Sequence, residues 1–146
     1  MSNLSKAAAV AGALVLLIIL GVGGYAVAPY IFGGTTGPSP TEVLERISAE
    51  INAELPAQID KGTRLESTTV DDLTLQYNYT LLPAMAAGLD RASFVADYKS
   101  PLQQTVCSKP SLRRLLERGF RVAYRYRLED DTAMGEFVFE EADCSA

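Results

Sequence analysis

Histidine and tryptophan are absent from the 146 residues, cysteine occurs only twice, and just one of the thirteen basic residues, Lys6, lies before position 33. The missing histidine removes the commonest general base and the commonest metal ligand together. No serine or cysteine stands beside a recognisable base, and no glycine-rich loop precedes a helix. The sequence therefore offers no catalytic constellation and no cofactor or metal site, and it reads as a protein that is not an enzyme. All eighteen acidic residues lie beyond position 33, so that part of the chain carries a net charge of −6. Such a surface repels nucleic acid and anionic lipid headgroups, which speaks against either as a partner.

What is present begins with an apolar run. From Ala7 to Phe32 the chain has 26 residues without a charge, and about 20 apolar residues in a helix already span the hydrocarbon of a bilayer. A cleavable signal peptide competes with this reading, because Ala26-Val27-Ala28 resembles a small-residue cleavage site. The run is longer than the roughly 7 to 15 residues of such peptides, and Pro29 would follow the cut, where proline fits a peptidase poorly. The expectation is an uncleaved signal anchor. With Lys6 on the short side, the positive-inside rule keeps the N-terminus cytoplasmic and places the rest in the periplasm of a bacterium. The expected organisation is a cytoplasmic end (1–6), a transmembrane anchor in the inner-membrane bilayer (7–32), a Gly/Thr/Pro tether (33–38) and a periplasmic domain (39–146).

Within that domain Ser39-Pro40-Thr41-Glu42 predicts a helix start with a capping box, and Leu44, Ile47, Ile51 and Leu55 form one apolar stripe that ends at Pro56. Leu73 to Leu81 alternates apolar and polar residues as a strand, with the β-branched stretch Thr63 to Val70 as its hairpin partner. Asp90 caps a second helix carrying Phe94, Tyr98, Leu102 and Val106, which Pro101 is expected to kink or divide. Pro110 opens a short third helix ending at Gly119, and Phe120 to Leu128 then forms a hairpin with a strand holding Phe137 and Phe139. The fold class expected is α+β, with helices on one side of a mostly antiparallel sheet of about four strands.

Cys107 follows the second helix and Cys144 the last strand, and in an oxidising compartment the two are expected to form a disulfide. Arg121, Arg125 and Arg127 share one face of a strand and form the candidate interaction surface. A hairpin turning at Asp131-Thr132 sets Arg127 opposite Glu136, with Arg125 diagonal to Glu136 and Glu140, so cross-strand pairing largely neutralises the stripe. Asp71-Asp72 and Asp130-Asp131 lack the alternating oxygen ligands of a calcium loop and read as turn residues.

Cys107-Ser108-Lys109-Pro110, the Leu115-Leu116 helix, Gly119, the aromatic hairpin, the closing Cys144 and the segment from Asn52 to Leu55-Pro56 resemble the small disulfide-bonded pilotins of type II secretion, of the kind found in Vibrio and enterotoxigenic Escherichia coli. The resemblance implies a periplasmic α/β domain that binds an amphipathic helix from a secretin subunit, without chemistry. Pilotins of this kind are lipoproteins of the outer membrane, and no lipidation cysteine is present here. The expectation is a membrane-anchored domain that binds an envelope protein, as an accessory of envelope or secretion-system assembly. The alternative is a binding module for a small ligand or envelope polymer, built on exposed aromatics such as Tyr77 and Tyr126.

Overall fold

The computed structural model describes residues 37–145. The expected anchor and most of the tether lie outside the described residues, among which no helix is long and apolar enough to cross a membrane. The first helix, α1 (Pro40–Asn52), starts as its sequence requires. The Ser39 hydroxyl accepts from the Glu42 amide at 3.3 Å, the Glu42 carboxylate accepts from the Ser39 amide at 2.6 Å, and Pro40 occupies the first turn. The hydrogen bond from the Ser39 amide, and after it that with the Ser39 hydroxyl, hold the Glu42 carboxyl below the usual carboxylate range. Val43, Leu44, Ile47 and Ile51 are buried, with Leu55 packed against the same core.

Five strands form one sheet in the order β1-β2-β3-β4-β5: β1 (Ala57–Asp60), β2 (Thr63–Asp71), β3 (Thr74–Leu81), β4 (Arg121–Leu128) and β5 (Ala133–Phe139). The sheet is mixed. All neighbours are antiparallel except β3 and β4, which run parallel. The expected four mostly antiparallel strands are thus corrected to five with one parallel pair. The extra strand, β1, has a single buried residue, Ile59, and shows no alternation by which to recognise it. Parallel pairing follows from the long helical crossover that returns the chain to the end of the sheet where β3 began.

That crossover holds α2 (Pro83–Ala86), α3 (Arg91–Ser108) and α4 (Pro110–Glu117). The Asp90 carboxylate caps α3 by accepting from the Ser93 amide at 3.0 Å. Pro101 does not divide it: α3 is a single helix of 18 residues. Proline removes one donor, that facing the Asp97 carbonyl, and Pro101 lies on an exposed face where water can satisfy it. Helix α4 ends as expected at Gly119, whose φ of +85° is left-handed. The Gly119 amide donates to Leu116 O and the Phe120 amide to Leu115 O, the paired bonds of a Schellman motif.

Helix α1 packs on β2 and β3, α4 on β4 and α3 on β5. Beneath them the inward rows of the central strands are Leu75, Tyr77, Tyr79 and Leu81 on β3 and Val122, Tyr124 and Tyr126 on β4, all buried. The helices occupy one face of the sheet, as expected. The opposite face carries Arg64, Thr69, Gln76, Asn78, Arg125 and Arg127 and is open.

Candidate interaction surface

Alternation along β4 sends Arg121, Arg125 and Arg127 to the open face, because Val122, Tyr124 and Tyr126 go to the core. Each guanidinium meets a carboxylate: Arg125 Nε lies 3.2 Å from Glu136, Arg127 lies 3.7 Å from Asp131, and Arg121 lies 3.8 Å from Asp72. Pairing is as expected in kind but not in register. Arg125, not Arg127, stands directly opposite Glu136, and Arg127 faces Ala133.

The reason is the turn. Asp131 has φ +66°, the Asp131 amide donates to Leu128 O, and the Leu128 amide donates to Thr132 O at 2.9 Å. The loop therefore has three residues, the last of them left-handed, rather than two. A bulge beyond Arg127 adds one more residue on β5, and together these slide Glu136 to Arg125.

Arg125 and Arg127 come together along a shallow depression with Ser67, Thr69, Gln76 and Asn78. Arg121 does not join them. It lies at the end of the sheet beside a different depression lined by Leu73, Leu116, Phe120 and Glu140. The polar side chains between them are already engaged: Gln76 donates to Asn78 at 2.7 Å, and Asn78 donates to Ser67 and Thr69.

The tyrosines offered as exposed ligand contacts are core residues. Tyr77 is 1% exposed and Tyr126 5%. They belong to a layer in which Tyr77 stacks on Tyr124 with centroids 5.4 Å apart and Tyr79 on Tyr126 at 4.9 Å, capped by Phe94 edge-on to Tyr126. Burial pushes the phenols of Tyr77, Tyr79, Tyr124 and Tyr126 well up from their ordinary value. A binding module built on these aromatics has no surface to work with.

Cys107 and Cys144 are joined, with Cα atoms 5.3 Å apart. The bond ties the end of α3 to the short 3₁₀ turn Glu141–Cys144, and Gln103 donates to Asp143 O at 2.6 Å beside it. Among the described residues no group of histidine, cysteine or carboxylate side chains could hold a metal ion.

A polar clasp escaped the sequence reading. A bulge between Leu65 and Ser67 turns Thr68 inward, where it is 2% exposed. The Asn52 amide accepts from Thr68 N at 2.6 Å and donates to Thr68 O at 2.9 Å, while the Ser48 and Thr68 hydroxyls lie 2.8 Å apart. In a strand the N–H and C=O of one residue point to the same edge, so Asn52 stands in for the neighbouring strand that β1 is too short to supply. Ser48, a polar residue on the buried side of α1, was the available signal.

Three solved structures share this fold. A candidate secreted protein of Pseudomonas aeruginosa aligns with a TM-score of 0.66 and 22% identity, over 74% of this chain and 99% of its own. EpsS, a pilotin from the type 2 secretion system of Vibrio vulnificus, aligns with a TM-score of 0.61 and 10% identity, over 73% and 93%. The type II secretion pilotin AspS of Vibrio cholerae aligns with a TM-score of 0.57 and 11% identity, over 72% and 92%. The resemblance to pilotins is thus one of fold, at very low identity. No curated protein matches the sequence. Residues 39–135, from the cap of α1 into β5, match the family described as a domain of unknown function, DUF8479, and the chain belongs to that family.

Proposed function

We propose that this protein is an accessory of the bacterial cell envelope that works by protein–protein recognition, with its domain in the periplasm and residues 7–32 anchoring it in the inner membrane. The observation that carries the reading is the fold held in common with two pilotins over more than nine-tenths of their chains. The disulfide supports an oxidising compartment. The 26 uncharged residues from Ala7 support the anchor.

In this reading the partner is an envelope protein that presents an amphipathic helix, as the pilotin resemblance implies. Arg125 and Arg127, with Arg121 at the sheet's end, form the contact surface. Their ion pairs are exposed, and exposed pairs contribute only about 0 to 1 kcal/mol each, so acidic residues of a partner can displace the internal carboxylates at little cost.

The test is affinity capture of the full chain from a detergent extract of cross-linked cells. Wild type should recover a discrete envelope protein, and the double variant Arg125→Glu with Arg127→Glu should lose it. Recovery of no envelope protein above background, with domain and anchor intact, refutes the proposal. N-terminal sequencing of the mature protein tests the anchor separately, since a chain beginning at Pro29 has none.

A further inference from the structure

The two edges of the sheet are finished differently. On one side β1 has four residues and an irregular register, and Asn52 occupies the part of the β2 edge at Thr68 that β1 does not reach. On the other side β5 has seven residues, without proline or lysine, and pairs only with β4. No backbone–backbone hydrogen bond joins residues 133–139 to anything beyond the β4 hairpin among the described residues. Folded proteins usually shorten, charge or cover such an edge, because its outward amides and carbonyls are a template for another strand.

The side chains beside that edge have a definite pattern. On the open face of the sheet Glu136, Val138 and Glu140 follow one another at intervals of two, and the backbone at Glu140 is still extended, with φ −129° and ψ 176°. All three are exposed, Val138 by 50%. Val138 and Val95 are the exposed large apolar side chains of the described residues. The row reads acidic, apolar, acidic.

We propose that the outer edge of β5 is a docking site for an extended segment of a partner protein, added as a sixth strand and reading basic–x–apolar–x–basic along the face it shares with Glu136, Val138 and Glu140. Backbone hydrogen bonds supply the pairing, and the two carboxylates with the valine between them supply the selectivity. A second copy of this chain fits poorly. Antiparallel self-pairing centred on Val138 would set Glu136 against Glu140 of the other copy twice over, and like charges directly opposite are destabilising. The site adjoins the arginine surface, because Glu136 also pairs with Arg125 at 3.2 Å, and the inference does not depend on the pilotin reading.

Hydrogen exchange of the full chain in non-ionic detergent tests it. The probe is the peptide acetyl-Thr-Lys-Thr-Val-Thr-Lys-Thr-amide, with the same peptide carrying glutamate in place of lysine as its counterpart. Without peptide, alternate amides of β5 should exchange rapidly. At about ten times its Kd the lysine peptide should slow them roughly tenfold, as simple mass action requires, and the glutamate peptide should not. The double variant Glu136→Lys with Glu140→Lys, checked for native circular dichroism, should reverse the preference. No slowing by the lysine peptide, or equal slowing by both, overturns the proposal. So does protection of β5 without peptide: if it grows with protein concentration the occupant is a second copy, and if it does not, a segment of the chain itself.

Discussion

Replacing Asn52 by alanine removes a side chain that is only half-buried, yet the cost should be large, because of what it leaves behind. Asn52 accepts from the Thr68 amide at 2.6 Å and donates to the Thr68 carbonyl at 2.9 Å, and Thr68 is 2% exposed. The carbonyl keeps one partner, the Ser48 hydroxyl at 3.1 Å. The amide loses its Asn52 acceptor at a residue that is all but closed to solvent. One orphaned buried N–H costs about 1 to 3 kcal/mol and the further lost bond about 1, so the expected loss is roughly 2 to 4 kcal/mol. Against a net stability of about 5 to 15 kcal/mol for a domain this is a large fraction. Urea denaturation of the full chain in detergent, with the disulfide intact, should show the midpoint falling by roughly 1 to 2 M at ordinary m-values. Gln58→Ala is the control, since the Gln58 amide donates to the Asp60 carbonyl in an exposed setting, and it should change stability by less than about 0.5 kcal/mol. If Asn52→Ala behaves like Gln58→Ala, then Asn52 does not replace a strand and the reasoning fails.

Other perturbations test other parts of the structure. A Cβ added at Gly62 would sit 2.5 Å from Met85 Cβ, so Gly62→Ala should cost about 1 to 3 kcal/mol in thermal or urea unfolding, and the same substitution should cost much less in a chain already carrying Met85→Gly. Cys107 and Cys144 are 37 residues apart, and the double serine variant should lose about 4 kcal/mol by the chain-entropy account; equal midpoints with and without reductant would refute that. Burial raises the phenols of Tyr77, Tyr79, Tyr124 and Tyr126. The unfolded chain releases those protons near pH 10 while the folded chain keeps them, so stability is undiminished below about pH 9 and falls as pH rises past 10. Tyrosinate absorbance from these four of the seven tyrosines should appear together with loss of circular dichroism, and gradual ionisation of an intact fold would count against their burial.

Much of the domain was legible because its signals are local. The capping box at Ser39 and Glu42, the glycine stop at Gly119, the alternation along β3 and β4 and the pairing of the two cysteines each depend on a few neighbouring residues or on a simple count, and each has its counterpart in the structure. The arginine surface was legible only in part. Alternation puts Arg121, Arg125 and Arg127 on one face, but a left-handed Asp131 and a bulge on β5 choose which carboxylate each one meets.

The sequence by itself determined the kinds and order of the principal elements and most of their helix ends. Tertiary structure alone decided the rest. Alternation tells which residues share a face of a strand but not whether that face is covered, so Tyr77 and Tyr126 became core only when α1 and the crossover helices closed over the sheet. Strand pairing joins distant residues, so nothing local announced that β3 and β4 run parallel, that Asn52 completes the edge of β2, or that β5 remains the open edge of the sheet.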